Sequence, residues 1–290
     1  NLLDLLNELG LEKVEQEYGK YGVYELANNE KQLFELPPQP EATYRLKGGT
    51  SKLIHALNKS LDQEQLMLNQ RVQSISFNGE VFNIITNDTS YKSQYLISTL
   101  PLNLMANQIE FTPALPQNLT NLARQTHTWM GESIKAGFFF TSPFWLEKEI
   151  GTVYSQKSPI TELYDHSNEH GYALKGFIHD SFVSLPKNER EKAVRAQLTN
   201  LFGEENISSG TYVDTAWRDE KETYQDYQKP VAPHQNNGNP ALRELLFSNK
   251  MLLAGSETAP TFPGYMDGAV EAANIAADKF IKQMVSGVVS

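Results

Sequence analysis

One segment near the carboxyl end restricts the fold more than any other. Met251–Ala254 is a short apolar run that predicts a buried strand. A loop follows in which Gly255 and Gly264 mark close approach of the backbone to other atoms. The pattern from about Met266 to Met284 then predicts a long helix. These features predict a strand–loop–helix unit whose helix packs closely on a sheet or on a ligand.

The helix of this unit has two properties that bear on binding. Small residues recur at every fourth position and would form one face that packs tightly: Gly268, Ala272 and Ala276. The helix N-terminus, at Tyr265 and Met266, offers unpaired N–H groups and a partial positive charge, which suit a ligand that carries or develops negative charge. An ordinary strand–loop–helix unit without a ligand has the same features.

The clearest local signal elsewhere is a β-hairpin. Residues 72–77 and 81–85 alternate apolar and polar side chains around Asn78-Gly79, the preferred two-residue hairpin turn. A third strand is predicted from Tyr91 to Thr99, and its continuously apolar end before Pro101 suits a sheet covered on both faces.

The rest of the chain mixes helices and strands. Other predicted helices cover Leu2 to Leu9, Thr50 or Ser51 to Leu57, and Glu189 to Phe202. Other predicted strands cover 21–26, 32–36, 134–140, 152–154, 172–179 and 211–217. The long aromatic strands lie between two flanking segments whose pattern is that of nucleotide-binding α/β units. This arrangement predicts a mixed α/β protein with a discontinuous second domain whose sheet is antiparallel.

Composition excludes several classes of protein. With 25 basic and 35 acidic residues the net charge is −10, and no dense Lys/Arg run could follow a phosphate backbone, so we expect no nucleic-acid partner. No apolar run approaches the length of a membrane span, and no targeting signal is visible, so we expect a cytoplasmic protein. The absence of cysteine excludes disulfides, thiolate metal ligands and a cysteine nucleophile.

Leu252–Ala273 closely resembles the C-terminal flavin motif of the flavin-containing amine oxidases, the family of the monoamine and polyamine oxidases. The resemblance implies an FAD-binding domain of the glutathione-reductase type made of 1–12, 41–124 and 220–290. It implies a substrate-binding domain made of 13–40 and 125–219. The segment beginning at Arg45 resembles the family's double-glycine helix entry, and Ile97–Pro101 resembles the strand that returns to the flavin.

The resemblance also implies cofactor contacts. Gly255, Ser256 and Glu257 would follow the pyrophosphate and ribityl chain, and the Val72 backbone would hold the adenine. The Met266 N–H would meet the pyrimidine edge of the flavin, where the helix dipole stabilises the anionic reduced ring. The remaining cofactor-binding residues implied here are Gly264 and Tyr265. FAD would be bound non-covalently, because Asp226 stands where covalently flavinylated members carry cysteine.

Three reacting residues are implied by the same resemblance. Lys135 would hold a water at flavin N5, although a lysine on a strand is more often a solvated residue. Tyr265 and Tyr227, the latter ten residues after Trp217, would be the aromatic walls that hold a neutral amine. Tyr224 is the alternative to Tyr227. Hydride would leave the amine α-carbon for N5, and oxygen would reoxidise the flavin.

The sequence departs from the family at its beginning. Family members start with a strand, a Gly-x-Gly-x-x-Gly turn and a helix, the Rossmann dinucleotide-binding segment, and nothing here fits that pattern. The FAD-binding domain is therefore predicted to be incomplete. We expect this chain to bind FAD weakly or not at all, and to form a homodimer through exposed sheet edges. Only about 35 residues lie between the first predicted helix and Gly48, where larger relatives hold a helical subdomain that covers the substrate channel, so the identity of the substrate stays open.

Other functions have weaker support. His166 and His170 are four residues apart and would face one metal on a helix, but Asn168 and Gly171 predict a loop, so we expect no metal site. No Gly-x-Ser-x-Gly or phosphate-loop pattern is present. The expected activity is FAD-dependent oxidation of a small amine. The alternatives are a flavin desaturase or protoporphyrinogen-oxidase-like enzyme, and an inactive apo fragment of such a protein.

Overall fold

A computed structural model describes residues 1–38, 41–157 and 159–287. The chain divides into two compact units. The first unit consists of Asn1–Leu11, Leu53–Gly131 and Lys221–Ser290, and the second of Glu12–Lys52 and Glu132–Glu220. The segmentation predicted from the sequence is interleaved in the same order, but 41–52 belong to the second unit and 125–131 to the first. The FAD-binding and substrate-binding roles of the units stay predictions.

Helices and strands occur in both units. The helices are α1 (Leu2–Glu8), α2 (Ser51–Lys59), α3 (Leu102–Gln108), α4 (Gln117–Arg124), α5 (Lys187–Phe202), α6 (Glu204–Ile207) and α7 (Met266–Gly287). The first nine strands are β1 (Lys13–Glu15), β2 (Tyr21–Glu25), β3 (Lys31–Glu35), β4 (Tyr44–Leu46), β5 (Val72–Phe77), β6 (Phe82–Thr86), β7 (Ser90–Ser93), β8 (Leu96–Ser98) and β9 (Glu110–Thr112). The others are β10 (Ile134–Phe140), β11 (Ile150–Ser155), β12 (Ile160–Asp165), β13 (Tyr172–Ile178), β14 (Thr211–Ala216) and β15 (Met251–Leu253).

The second unit is built on a seven-stranded sheet with the order β14-β10-β13-β12-β11-β2-β3. Its neighbouring strands are antiparallel except for β11 and β2, which are parallel. Along β10 every second side chain is buried, from Ile134 to Phe140, whereas Lys135 and Phe139 are exposed. Because successive side chains of a strand point to opposite faces, one face of this sheet forms the core. That face packs on α5 through Val194 and Leu198.

The first unit contains a four-stranded sheet, β7-β6-β5-β9, and a parallel pair, β8 and β15. The predicted hairpin is confirmed, but its turn is shifted by one residue. The Asn78 N–H donates to the Val81 carbonyl, so Gly79 and Glu80 are the central turn residues, and Gly79 has φ +101°. The Asn78 side-chain oxygen accepts the N–H groups of Glu80 and Val81. The prediction of one strand from Tyr91 to Thr99 is wrong. The Ser93 hydroxyl donates to the Tyr95 carbonyl at 2.6 Å and diverts the chain between β7 and β8, which belong to different sheets.

The predicted small-residue face of α7 is confirmed. Ala272 and Ala276 are buried, and Ala276 belongs to a cluster with Leu252 and Ala254 at β15. A Cβ atom on Gly268 would lie 2.4 Å from the Phe262 carbonyl oxygen, so no side chain fits there. Within 1–38, 41–157 and 159–287, no helix combines the length and the apolar character that crossing a bilayer requires.

Candidate functional site

The loop between β15 and α7 is closely packed in the first unit. A Cβ atom on Gly255 would lie 2.8 Å from the Glu257 Oε2 atom. Gly264 has φ +87°, and a Cβ atom there would lie 3.0 Å from Trp129 Cβ. The Gly264 N–H donates to the Ser256 carbonyl at 3.1 Å and holds the loop closed. Glycine is therefore required at Gly264, as the sequence predicts. Gly255 has φ −68°, which any residue adopts, and within 3 Å a Cβ atom there would meet only the carboxylate end of Glu257.

A nearly unsatisfied acid lies in this loop. Glu257 is 4% exposed, and burial raises the pKa of its carboxyl. The Ser256 hydroxyl lies 3.4 Å from its Oε2 atom, at the long end of hydrogen-bond distance. Nearby, the Asn237 Oδ1 atom is a buried acceptor without a hydrogen-bond partner in the described part of the chain. Two buried acceptors in this region could thus bind hydroxyl or N–H groups of a ligand.

The start of α7 is accessible. Tyr265 is 46% and Met266 is 53% exposed at the first turn of this helix. The first four N–H groups of an α-helix have no acceptor inside the helix, and they carry the positive end of its dipole. An acceptor on a ligand could bind here, which is the role that the sequence predicts for the Met266 N–H.

Five rings of the first unit form what we call the aromatic cluster: His127, Trp129, Tyr227, His234 and Tyr265. His234 stacks on Trp129 with 4.0 Å between ring centroids and on Tyr265 with 5.6 Å. His127 stacks on Tyr227 at 6.3 Å and accepts the His234 N–H at 3.2 Å. The two predicted wall tyrosines thus belong to one cluster and are linked through two imidazoles.

Tyr227 has more accessible ring surface than Tyr224, the alternative wall. Its phenol oxygen accepts the Thr128 N–H at 2.7 Å and lies 3.3 Å from the Thr126 carbonyl, and its ring is partly exposed. Tyr224 is buried, and a Cβ atom on Gly131 would lie 2.6 Å from its ring. The sequence reasoning missed His127, Trp129 and His234. The spacing of His127 and Trp129 two residues apart, just before Gly131, was the signal available.

The other predicted cofactor residue of the first unit, Val72, begins β5. It pairs with Thr86 of β6, and the register of the two strands shifts between Val72 and Ser74. Val72 is partly buried. Every predicted cofactor-binding residue therefore lies in the first unit, together with both wall tyrosines.

Lys135 lies in the second unit, on the exposed face of β10 and 5.8 Å from the ring centre of Phe177. It lines a cavity of about 400 Å³ on that sheet, which we call the sheet-face cavity. The residues that matter most in its wall are Lys135, Phe139, His166, Lys175, Val213 and Trp217. The sequence indicated Lys135 but gave no reason to place Lys175 beside it.

His166 and His170 lie in the turn between β12 and β13, where Asn168 bridges to Gly171, so the predicted loop is confirmed. Burial, together with the positive charges of Lys175 and Arg45, lowers the pKa of His166 to about 4. Among the described residues, no three His, Cys, Asp or Glu side chains are grouped as they would be around a metal ion.

Comparison with known proteins identifies similar sequences. The profile of the family described as flavin containing amine oxidoreductase matches residues 7–281. A probable flavin-containing monoamine oxidase A of Dictyostelium discoideum is 29% identical over 78% of this chain and 51% of its own length. Amine oxidase [flavin-containing] B of Canis lupus familiaris is 30% identical over 82% of this chain and 47% of its own length. The chain spans about half the length of these curated relatives.

A solved structure shows the fold. Wild-type putrescine oxidase bound to putrescine superposes with a TM-score of 0.81 at 16% identity, covering 97% of this chain and 85% of the other. The predicted mixed α/β fold of the amine-oxidase type is therefore confirmed. The family match extends over nearly the whole chain, and it takes in the β15–α7 unit, Lys135 and both wall tyrosines. The chain belongs to the flavin-containing amine oxidoreductase family.

Proposed function

We propose that this protein takes part in FAD-dependent oxidation of an amine, with FAD bound non-covalently and oxygen as the acceptor. The observation that carries the proposal is the geometry of the β15–α7 loop. Gly264 leaves no room for a side chain, Glu257 is a buried acid whose hydrogen bond from the Ser256 hydroxyl is long, and the N-terminus of α7 is exposed at Met266.

These residues fit the chemical groups of FAD. A buried carboxylate such as Glu257 can accept hydrogen bonds from the hydroxyl groups of a ribityl chain. The exposed amides at Met266 can donate to the carbonyl edge of the ring and stabilise negative charge there. The backbone near Val72 would bind the adenine, as the resemblance implies. With no cysteine anywhere in the chain, attachment through sulfur is excluded.

The chain's own residues bind and orient the amine. When bound, FAD supplies a two-electron acceptor that takes hydride from the amine α-carbon at N5 and is reoxidised by oxygen. In this proposal the ring faces of Tyr227 and Tyr265 hold the neutral amine, and His127 and His234 fix the two rings by stacking on them. Lys135 holds a water beside the reacting position.

The aromatic cluster favours an amine over the substrates of desaturase-like or protoporphyrinogen-oxidase-like enzymes. Such enzymes would need a more apolar cavity without an aromatic cage. In this chain the exposed ring of Tyr265 instead packs against the indole of Trp129 and the imidazole of His234. An inactive apo chain is the other alternative. The experiment below separates these three outcomes.

The test begins with the purified 290-residue chain. We expect little flavin absorbance as purified, and saturation only with added FAD, measured by quenching of flavin fluorescence. The FAD-saturated protein is then mixed anaerobically with phenethylamine, putrescine and protoporphyrinogen, and bleaching of the flavin band is followed. We expect bleaching by an amine only.

Matched variants show whether any bleaching depends on the proposed site. Glu257→Gln should weaken FAD binding, whereas Glu222→Gln, which changes an exposed acid of the same unit, should not. Bleaching by protoporphyrinogen but not by amines would contradict the proposal. Saturated flavin that no amine bleaches would favour the inactive alternative. The homodimer and the cytoplasmic location stay predictions, and light scattering on the eluted protein would measure the first.

A further inference from the structure

The sheet-face cavity has two lysines on one wall. In the antiparallel pair of β10 and β13, Lys135 lies opposite Phe177, and Gly137 lies opposite Lys175. Directly opposed residues of such a pair share a face of the sheet, and so do residues two apart on one strand. Lys135 and Lys175 therefore point to the same side, away from the core that packs on α5.

Lys175 has no hydrogen bond or ion pair with any residue in 1–38, 41–157 or 159–287. Its side chain is half-buried. Burial lowers the pKa of its ammonium, and the positive charges of Lys135 and Arg45 lower it further. No acidic group acts on it in the opposite direction. The amine of Lys175 is thus held in a position that is unfavourable for its own charge.

Arg45 is a third positively charged side chain near the cavity. It donates through Nη1 to the Ser167 carbonyl at 3.0 Å and lies 3.5 Å from His166 Nδ1. Its Nε–H group is buried and has no acceptor among the described residues. His166 adds no charge near neutral pH, because its pKa is lowered to about 4, mainly by burial. Lys135 and Lys175 therefore line this cavity as cations, and Arg45 contacts His166 of its wall.

The nearby carboxylates are engaged elsewhere. Asp214 forms a two-atom ion pair with Arg190, at 2.7 Å and 3.2 Å, and accepts the Tyr212 hydroxyl. Asp165 accepts hydrogen bonds from Trp145 and Ser167. The acids of β12 and of the turn that follows it also have partners: Glu162 with Tyr164, and Glu169 with His170.

The uncompensated positive charge of Lys175 favours the binding of an anion. A partly buried charge is costly unless it is paired, and a bound anion would satisfy Lys175. The wall also contains apolar side chains, Phe139, Leu174, Val213 and Trp217, besides polar ones such as Asn168 and Thr215. An anionic group attached to an apolar body fits both parts of the wall. A small, strongly hydrated phosphate would leave the apolar part unused.

We propose that the sheet-face cavity binds a carboxylate attached to an apolar body, with Lys175 as its main ligand and Lys135 in support. The apolar body of the ligand packs along Phe139 and Val213.

Binding to the purified chain tests the subsite without any flavin. Calorimetric titration compares phenylacetate with its neutral analogue phenylacetamide, and with inorganic phosphate. We expect phenylacetate to bind about tenfold or more tightly than phenylacetamide, as a charge-assisted hydrogen bond provides. Lys175→Met should remove that difference, and Lys175→Arg should keep most of it.

Lys192→Met is the matched control, because Lys192 is an exposed lysine of α5, the helix on the core side of the same sheet. It should leave phenylacetate binding unchanged. Circular dichroism checks that each variant is folded. Equal binding of phenylacetate and phenylacetamide by the wild-type chain would overturn the proposal, and so would no measurable binding of either compound. Equal losses of phenylacetate binding in Lys175→Met and Lys192→Met would also overturn it. Tighter Lys175-dependent binding of phosphate would also overturn it.

Discussion

The ion pair between Arg190 and Asp214 gives a quantitative prediction. Their side chains are 7% and 1% exposed, and the guanidinium binds both carboxylate oxygens. Arg190→Met removes the cation but keeps an apolar stem of similar length, so a buried carboxylate loses its main partner. Removing one partner of a buried pair costs about 3–5 kcal/mol. We expect about 3 kcal/mol, because Asp214 retains the Tyr212 hydroxyl bond.

The loss should depend on pH. Burial alone would raise the pKa of Asp214, but hydrogen bonds from Arg190 and Tyr212 outweigh it, and the pKa lies below the ordinary value of 3.8. When the pKa of a carboxyl is lower in the folded than in the unfolded state, its ionisation stabilises the fold at any pH above the unfolded pKa. That stabilisation is lost as the pH falls through the folded pKa. In Arg190→Met the same carboxyl has a higher pKa. The difference in stability between the two proteins should therefore shrink as the pH falls below about 4.

Urea unfolding followed by tryptophan fluorescence measures the effect, since Trp145 is buried in the same core cluster. The double variant Arg190→Met/Asp214→Asn should recover part of the loss, because it removes the uncompensated charge. Lys47→Met breaks the exposed pair with Glu12 and should cost much less. A loss for Arg190→Met no larger than that for Lys47→Met, or a difference that does not change with pH, would refute the reasoning.

Three further predictions concern the candidate site. Tyr265→Leu and Tyr227→Leu should each raise the KM for an amine or slow flavin reduction in stopped-flow traces, with little change in the flavin spectrum; reduction as fast as in wild type would remove the wall assignment. Lys135→Met should slow aerobic reoxidation more than reduction, and equal reoxidation rates would exclude its role at N5. Burial raises the pKa of Glu257, so its ionised form destabilises the fold at neutral pH, and Glu257→Gln should stabilise the chain there. This gain in stability should disappear as the pH falls below about 4.5, where the carboxyl is protonated in both states. Urea midpoints that do not differ at pH 7 would contradict that expectation.

Much of the local structure could be predicted from the sequence. The Asn78-Gly79 hairpin, the alternation along β10 and the small-residue face of α7 follow from short-range rules of turn chemistry and side-chain period. The α3 and α4 helices were not predicted. In α3 the four consecutive residues Leu102 to Met105 are buried, so the sequence shows no helical alternation of apolar and polar residues.

The sequence by itself determined which segments could form a strand–loop–helix site, because the requirement for glycine at Gly264, with φ +87°, is a property of the local backbone. Only the tertiary structure decided which distant residues meet. The register of β10 and β13 brings Lys135 and Lys175 to one wall, 40 positions apart in the chain. Packing around Gly131 buries Tyr224 and leaves Tyr227 accessible. The physical reason is that strand register and side-chain packing depend on contacts between residues far apart in sequence, which no local pattern specifies.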